Sequence, residues 1–130
     1  MVQLTFYPIG NADCCLIDLV DGQKILVDYA AAKDVEDPKD LRINLAAAIR
    51  DNLDDADRDY FDIVAFTHLD LDHVGGSSEI FHFEHAEKYQ GKGRVKIKTL
   101  WVPAAAITEE GVEDEARIVR AEARYRLRER

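Results

Sequence analysis

The sequence is short of cysteine, of proline and above all of positive charge. Seventeen Lys and Arg stand against twenty-six Asp and Glu, a formal net charge of -9. With no surplus cations to replace counterions along a phosphate backbone, general nucleic-acid binding is not expected. The two cysteines, Cys14 and Cys15, are adjacent in a stretch that reads as a strand. Their side chains then point to opposite faces and cannot pair with each other, which suits a reduced, cytoplasmic protein. Neither C-x-x-C nor zinc-ribbon spacing is present, so both read as small apolar fillers. No apolar run approaches 18 residues, and no basic segment followed by an apolar one opens the chain. Neither secretion nor membrane spanning is expected.

What is present reads as one α/β domain, the prior for 130 residues. VQLTFYP, CCLIDLV and ILVDYA form three strands of a meander, with Gly22 in the turn DGQK. Asp37 and Pro38 open a predicted helix carrying Leu41, Leu45, Ala48, Ile49 and Leu53 at helical spacing. FDIVAF is an apolar strand of the kind covered on both faces. SSEIF suggests a short helix, HFEHAEKYQGKGR a polar loop or frayed helix, and VKIKTLWV a strand stopped by Pro103. From Thr108 the chain reads as a helix to its end, acidic early and basic late as the helix dipole favours. Val112, Ala116, Val119, Ala123 and Leu127 make its buried stripe; Glu113 with Arg117 and Glu122 with Arg126 make ion pairs. The late arginines read as a solvated face.

The chemistry concentrates in FDIVAFTHLDLDHVGG. His68, Asp70, Asp72 and His73 occupy six positions just past the strand, with Gly75 and Gly76 behind them. Imidazole and carboxylate suit zinc, manganese or iron. A loop leaving a strand can direct Asp72 and His73 to a second point a few ångströms from the first. Two cations about 3.5 to 4 Å apart would clamp both sides of a hydrolytic displacement. The glycines let the backbone turn sharply beside the metals. An EF-hand reading of DLDHVGGSSE fails, because its twelfth position is Phe81. His82 and His85 read as surface-loop residues.

THLDLDHVGG resembles the T/S-H-x-H-x-D-H-x-G-G signature of the metallo-β-lactamase-fold hydrolases, and LTFYPIGNADCCLIDL with KILVDYA is similar to that family's opening hairpin. The resemblance implies His68 and Asp70 on one metal, Asp72 and His73 on a second, and Asp72 as the catalytic residue. Asp28 matches an aspartate that lies beside the site and orients it, although the glycine that often follows is Ala30 here. Asp70 departs from the family's histidine and shifts preference towards manganese or iron, or weakens the first site.

The implied fold is the N-terminal half of an αββα sandwich, a mixed β-sheet flanked by helices. Residues 1–130 would then be a single partial domain, because the family's later histidines and bridging aspartate have no counterpart after His73. A truncated piece, or a partner chain supplying the rest, is the corresponding expectation, and so is association through an uncovered sheet face. The implied function is metal-dependent hydrolysis, a metal-bound hydroxide attacking an ester, with a phosphodiester the expected substrate and this piece inactive alone. Two alternatives stand beside it: a non-catalytic binding module on the same scaffold, and a DHH-type manganese phosphoesterase using Asp70-x-Asp72. The latter class puts glycine where His73 stands and lacks the opening hairpin.

Overall fold

The computed structural model describes residues 1–9, 14–30, 36–41, 43–69, 74–108 and 114–129. Its centre is a five-stranded mixed sheet: β1 (Gln3–Phe6), β2 (Cys15–Asp18), β3 (Lys24–Val27), β4 (Tyr60–Ala65) and β5 (Lys96–Trp101), in spatial order 1-2-3-4-5. The first three strands pair antiparallel, the expected meander, while β3, β4 and β5 run parallel. Parallel neighbours need crossovers. Between β3 and β4 the chain forms α1 (Leu45–Asp55); between β4 and β5 it forms α2 (Ser77–Ile80) and a 3₁₀ turn (Glu87–Tyr89). α3 (Ala105–Thr108) and α4 (Asp114–Arg128) follow β5.

The one-sided character of the sheet follows from this order. Parallel strands added successively in one direction by crossovers of one hand send both crossovers over the same face. That face carries much of the core, to which Phe61 and Ile97, paired in register two residues before Ile63 and Thr99, also belong. Leu16, Leu26 and Val64 are fully buried on it, in one cluster with Leu45, Ile49 and Leu53 of α1, Ile80 of α2 and Val119 of α4.

The opposite face carries two complete rows across all five strands, because residues paired in register share a face. One row is Leu4, Ile17, Ile25, Ile63 and Thr99; the other is Phe6, Cys15, Val27, Ala65 and Trp101. None of these ten residues belongs to the core cluster. The edge members Leu4, Phe6 and Trp101 are 54%, 73% and 54% exposed.

Several expectations need correction. α1 begins at Leu45, with the Asn44 side chain accepting the Ala47 N–H at 3.2 Å, and does not start at Asp37. Asp37 instead accepts the Lys39 N–H in a turn, and Leu41 is 94% exposed. Asx turns compete with helix starts, and here the turn prevails. After Thr108 the described residues form one helix, α4 from Asp114 to Arg128, as expected, while 109–113, and so Val112 and Glu113, lie outside the described residues. Ala116, Val119 and Ala123 are buried as predicted, but Leu127 is exposed. The piece HFEHAEKY is not simply polar surface. Phe83 is fully buried, packed against Phe81 just before the piece at 6.3 Å between ring centroids.

Candidate functional site

The residues that can be placed sit at the carboxyl ends of the parallel strands. β3 ends at Val27 and β4 at Ala65, which lie in register. Asp28 follows the first and Thr67-His68 the second. In sheets of this kind, ligands bind beyond the carboxyl ends of strands, where side chains leave the sheet on loops and converge.

Asp28 is the fixed point. Its N–H donates to the Ala65 carbonyl at 2.7 Å, extending the ladder by one bond, and the backbone then enters the left-handed region at φ 60°. Aspartate tolerates that region better than most residues. The turn swings the carboxylate across to the next strand. There it accepts the Thr67 N–H on one oxygen at 2.8 Å and the Thr67 hydroxyl on the other at 2.6 Å. Asp28 is only 4% exposed, and a buried carboxylate is tolerated where hydrogen bonds satisfy it.

This bond fixes the next one. A threonine hydroxyl has a single proton, and Asp28 takes it. Thr67 Oγ1 can therefore only accept from His68 Nδ1, which lies 3.2 Å away. In the neutral ring, Nδ1 then carries the hydrogen and Nε2 the lone pair. That is how metal-binding imidazoles are prepared: a donor bond from one nitrogen sets the tautomer in which the other can ligate. His68 is exposed at the sheet's rim.

Asp70, Asp72 and His73 lie outside the described residues, so only His68 of the four predicted ligands has a described position. Among the described residues no three His, Cys, Asp or Glu side chains form a metal-sized cluster. The chain resumes with Val74, fully buried, followed by Gly75 and Gly76. Gly76 has φ 77° and caps the start of α2, a conformation that disfavours a side chain. Gly76 thus turns the chain directly into α2.

A second polar cluster contains the expected ion pair of Glu122 with Arg126, but its burial and its link to His85 escaped the sequence reading. Glu122 of α4 is completely buried. It accepts from the His85 N–H at 3.0 Å, His85 Nδ1 at 2.9 Å and Arg126 Nε at 2.7 Å. Burial alone pushes its carboxyl up, but the bonds from Arg126, His85 and the Glu84 and His85 N–H groups outweigh it and hold the pKa below that of an ordinary glutamate. Arg126 also donates to the Ile97 and Lys98 carbonyls at 3.0 and 3.4 Å. These residues clamp the 81–90 segment, α4 and β5 together. His85 and Arg126 are thus structural and not a solvated fringe. The signal was present: Glu122 stands three residues after Val119 and one before Ala123, on the buried stripe.

A cavity of about 480 Å³ lies at the opposite end of the strands, beside Tyr60, Lys96 and Lys98, where β4 and β5 begin. A six-residue strand spans roughly 20 Å, so this cavity is remote from His68. Its charged groups are internally balanced in part, with Lys96 paired to Asp59 at 3.4 Å.

No family match identifies the chain. No model of a known protein family matches it, and neither does any curated protein or solved structure. No described helix is long and apolar enough to cross a membrane.

Proposed function

We propose that the chain is the metal-binding half of a metallo-β-lactamase-type hydrolase that acts on an ester, a phosphodiester by preference. The observation that carries this reading is the chain of bonds from Asp28 through Thr67 to His68. It joins the early-strand aspartate to the first residue of the histidine- and aspartate-rich run, at the carboxyl ends of adjacent parallel strands.

The donor set fits one or two divalent ions of zinc, manganese or iron, held by His68 with Asp70, Asp72 and His73. When bound, such ions activate water and absorb negative charge that develops on the substrate. The chain's own contribution is to prepare the ligands. Asp28 fixes Thr67, Thr67 presents His68 with its Nε2 lone pair, and Gly76 redirects the backbone past the site. A sheet with helices on one face and an apolar opposite face is also the form expected of half of an αββα sandwich.

The test is metal content, followed by cleavage. After equilibration with manganese or zinc and dialysis, elemental analysis is expected to find bound metal in the wild type and a loss in His68→Ala. Thr67→Val, which leaves every ligand in place, is expected to weaken affinity about 10- to 100-fold in a calorimetric titration. A chain that retains neither ion, with His68→Ala indistinguishable from wild type, would sink the metal reading and leave a binding module.

A further inference from the structure

We infer that the cavity where β4 and β5 begin is a second binding site, one that takes the phosphate group of a small molecule. It lies at the far end of the strands from His68, and the inference does not depend on the metal reading.

The backbone builds the cavity. The Val95 N–H donates to the Ile80 carbonyl and the His82 N–H to the Val95 carbonyl, both at 2.8 Å, a parallel bridge of Phe81 with Val95 that lays the start of the 81–90 segment along the outer edge of the sheet. One residue on from that bridge, His82 comes beside Lys96, and Lys96 is paired in register with Tyr60. These three share one side and, together with Lys98, line a space of about 480 Å³. Small organic ligands occupy cavities of that size.

Ion pairing sorts the charged groups around it. Arg126 is held by the buried Glu122 at 2.7 Å, and Lys96 meets Asp59 at 3.4 Å in an exposed pair of little strength that an anion can displace. Lys98 forms no ion pair among the described residues. Its ammonium lies over the Tyr60 ring, 4.3 Å from the centroid, a contact that leaves the charge uncancelled. The Asp62 carboxylate on neighbouring β4 is already engaged by Arg58 and the Lys24 N–H. Glu84 also lines the cavity, but it is exposed, so it reduces the attraction for an anion without abolishing it.

His82 supplies a third donor. Its Nδ1 accepts the Gly91 N–H at 3.3 Å, so in the neutral ring the hydrogen is on Nε2. Two ammonium groups and one imidazole N–H suit a phosphate monoester, which carries about -1.5 to -2 charge at pH 7 and three strong acceptor oxygens. A carboxylate offers one charge and two oxygens, a poorer match to the same three donors.

A titration of the full 130-residue chain with phenyl phosphate, followed by NMR at constant ionic strength, provides the test. The expected result is saturable movement of the His82 ring nitrogens and of the amides of Lys96 and Lys98, with His68 unmoved. Lys98→Ala should weaken binding about 10- to 100-fold and Glu84→Gln strengthen it about 2- to 5-fold, both with unchanged circular dichroism. Inorganic phosphate separates the sources: binding weaker than that of phenyl phosphate identifies an ester as the ligand, and equal binding identifies the free ion. Movement no greater than sodium chloride causes, movement at His68 in place of His82, or a Lys98→Ala variant that titrates like the wild type would overturn the proposal.

Discussion

Asp28 shows how much one side chain can decide. Its two oxygens are not equivalent: one faces a donor that can never accept, the Thr67 N–H, and the other faces the Thr67 hydroxyl. In Asp28→Asn the carbonyl oxygen must take the N–H, which forces the amide NH₂ onto Thr67 Oγ1. The hydroxyl proton is then released towards His68 Nδ1, and the ring is driven to carry its hydrogen on Nε2. We expect Asn, which also tolerates the left-handed backbone, to keep the fold at a cost of about 1 to 2 kcal/mol in urea unfolding. Metal affinity should nevertheless fall, with the ¹⁵N shifts of the His68 ring reporting the exchanged tautomer. Unchanged ring shifts would refute the relay. The two cysteines differ for a related reason. Burial pushes the thiol of Cys14 far up, whereas Cys15 is only partly buried, so Cys15 should react first with a maleimide and Cys14 only on unfolding.

Among the elements, α4 carries the most consequential polar group. Replacing Glu122 by Gln is expected to cost about 3 kcal/mol, because Arg126 and His85 lose their buried counter-charge. The same carboxylate makes stability depend on acid. Its folded pKa is depressed, as is that of Asp62, which burial would raise but the Lys24 N–H and the Arg58 guanidinium lower. Such groups contribute fully above the unfolded carboxylate pKa, near 4, and their contribution is lost as pH falls through the lower folded values. The urea midpoint should therefore drop below about pH 4, and drop less steeply in Glu122→Gln.

The elements also show what the sequence could disclose. The strands were legible because β-branched and apolar residues alternate between turn signals, and the register of β3 against β4 is pinned by apolar pairs such as Leu26 with Val64. The histidine- and aspartate-rich run stood out by residue type and spacing, whereas Asp28 was singled out through the resemblance alone. The start of α1 was not, because Asp37 and Asn44 are both competent caps and only tertiary packing chooses between them. The burial of Phe83 and Glu122 was hidden as well. It depends on α4 returning across the 81–90 segment, a contact between residues 37 positions apart.

At the scale of the whole molecule, the net charge of -9 makes the folded chain repel itself. Raising salt from about 0.05 to 0.5 M shortens the screening length and should raise the urea midpoint. A midpoint that falls as salt rises would show that attractive ion pairs outweigh this repulsion.

The bond between Asp28 and Thr67 has a further consequence, in time rather than in space. It joins residues 39 positions apart, while the meander before it closes over turns of a few residues. Closing a longer loop costs more chain entropy, and contacts distant in sequence tend to be made late in folding. The β1–β3 hairpins can therefore assemble first, and the pairing of β3 with β4 completes the neighbourhood of His68 afterwards. In a refolding experiment with pulsed hydrogen exchange, the Thr67 amide should gain protection after those of β2 and β3. Its protection would mark the moment at which Asp28 first holds Thr67 beside His68.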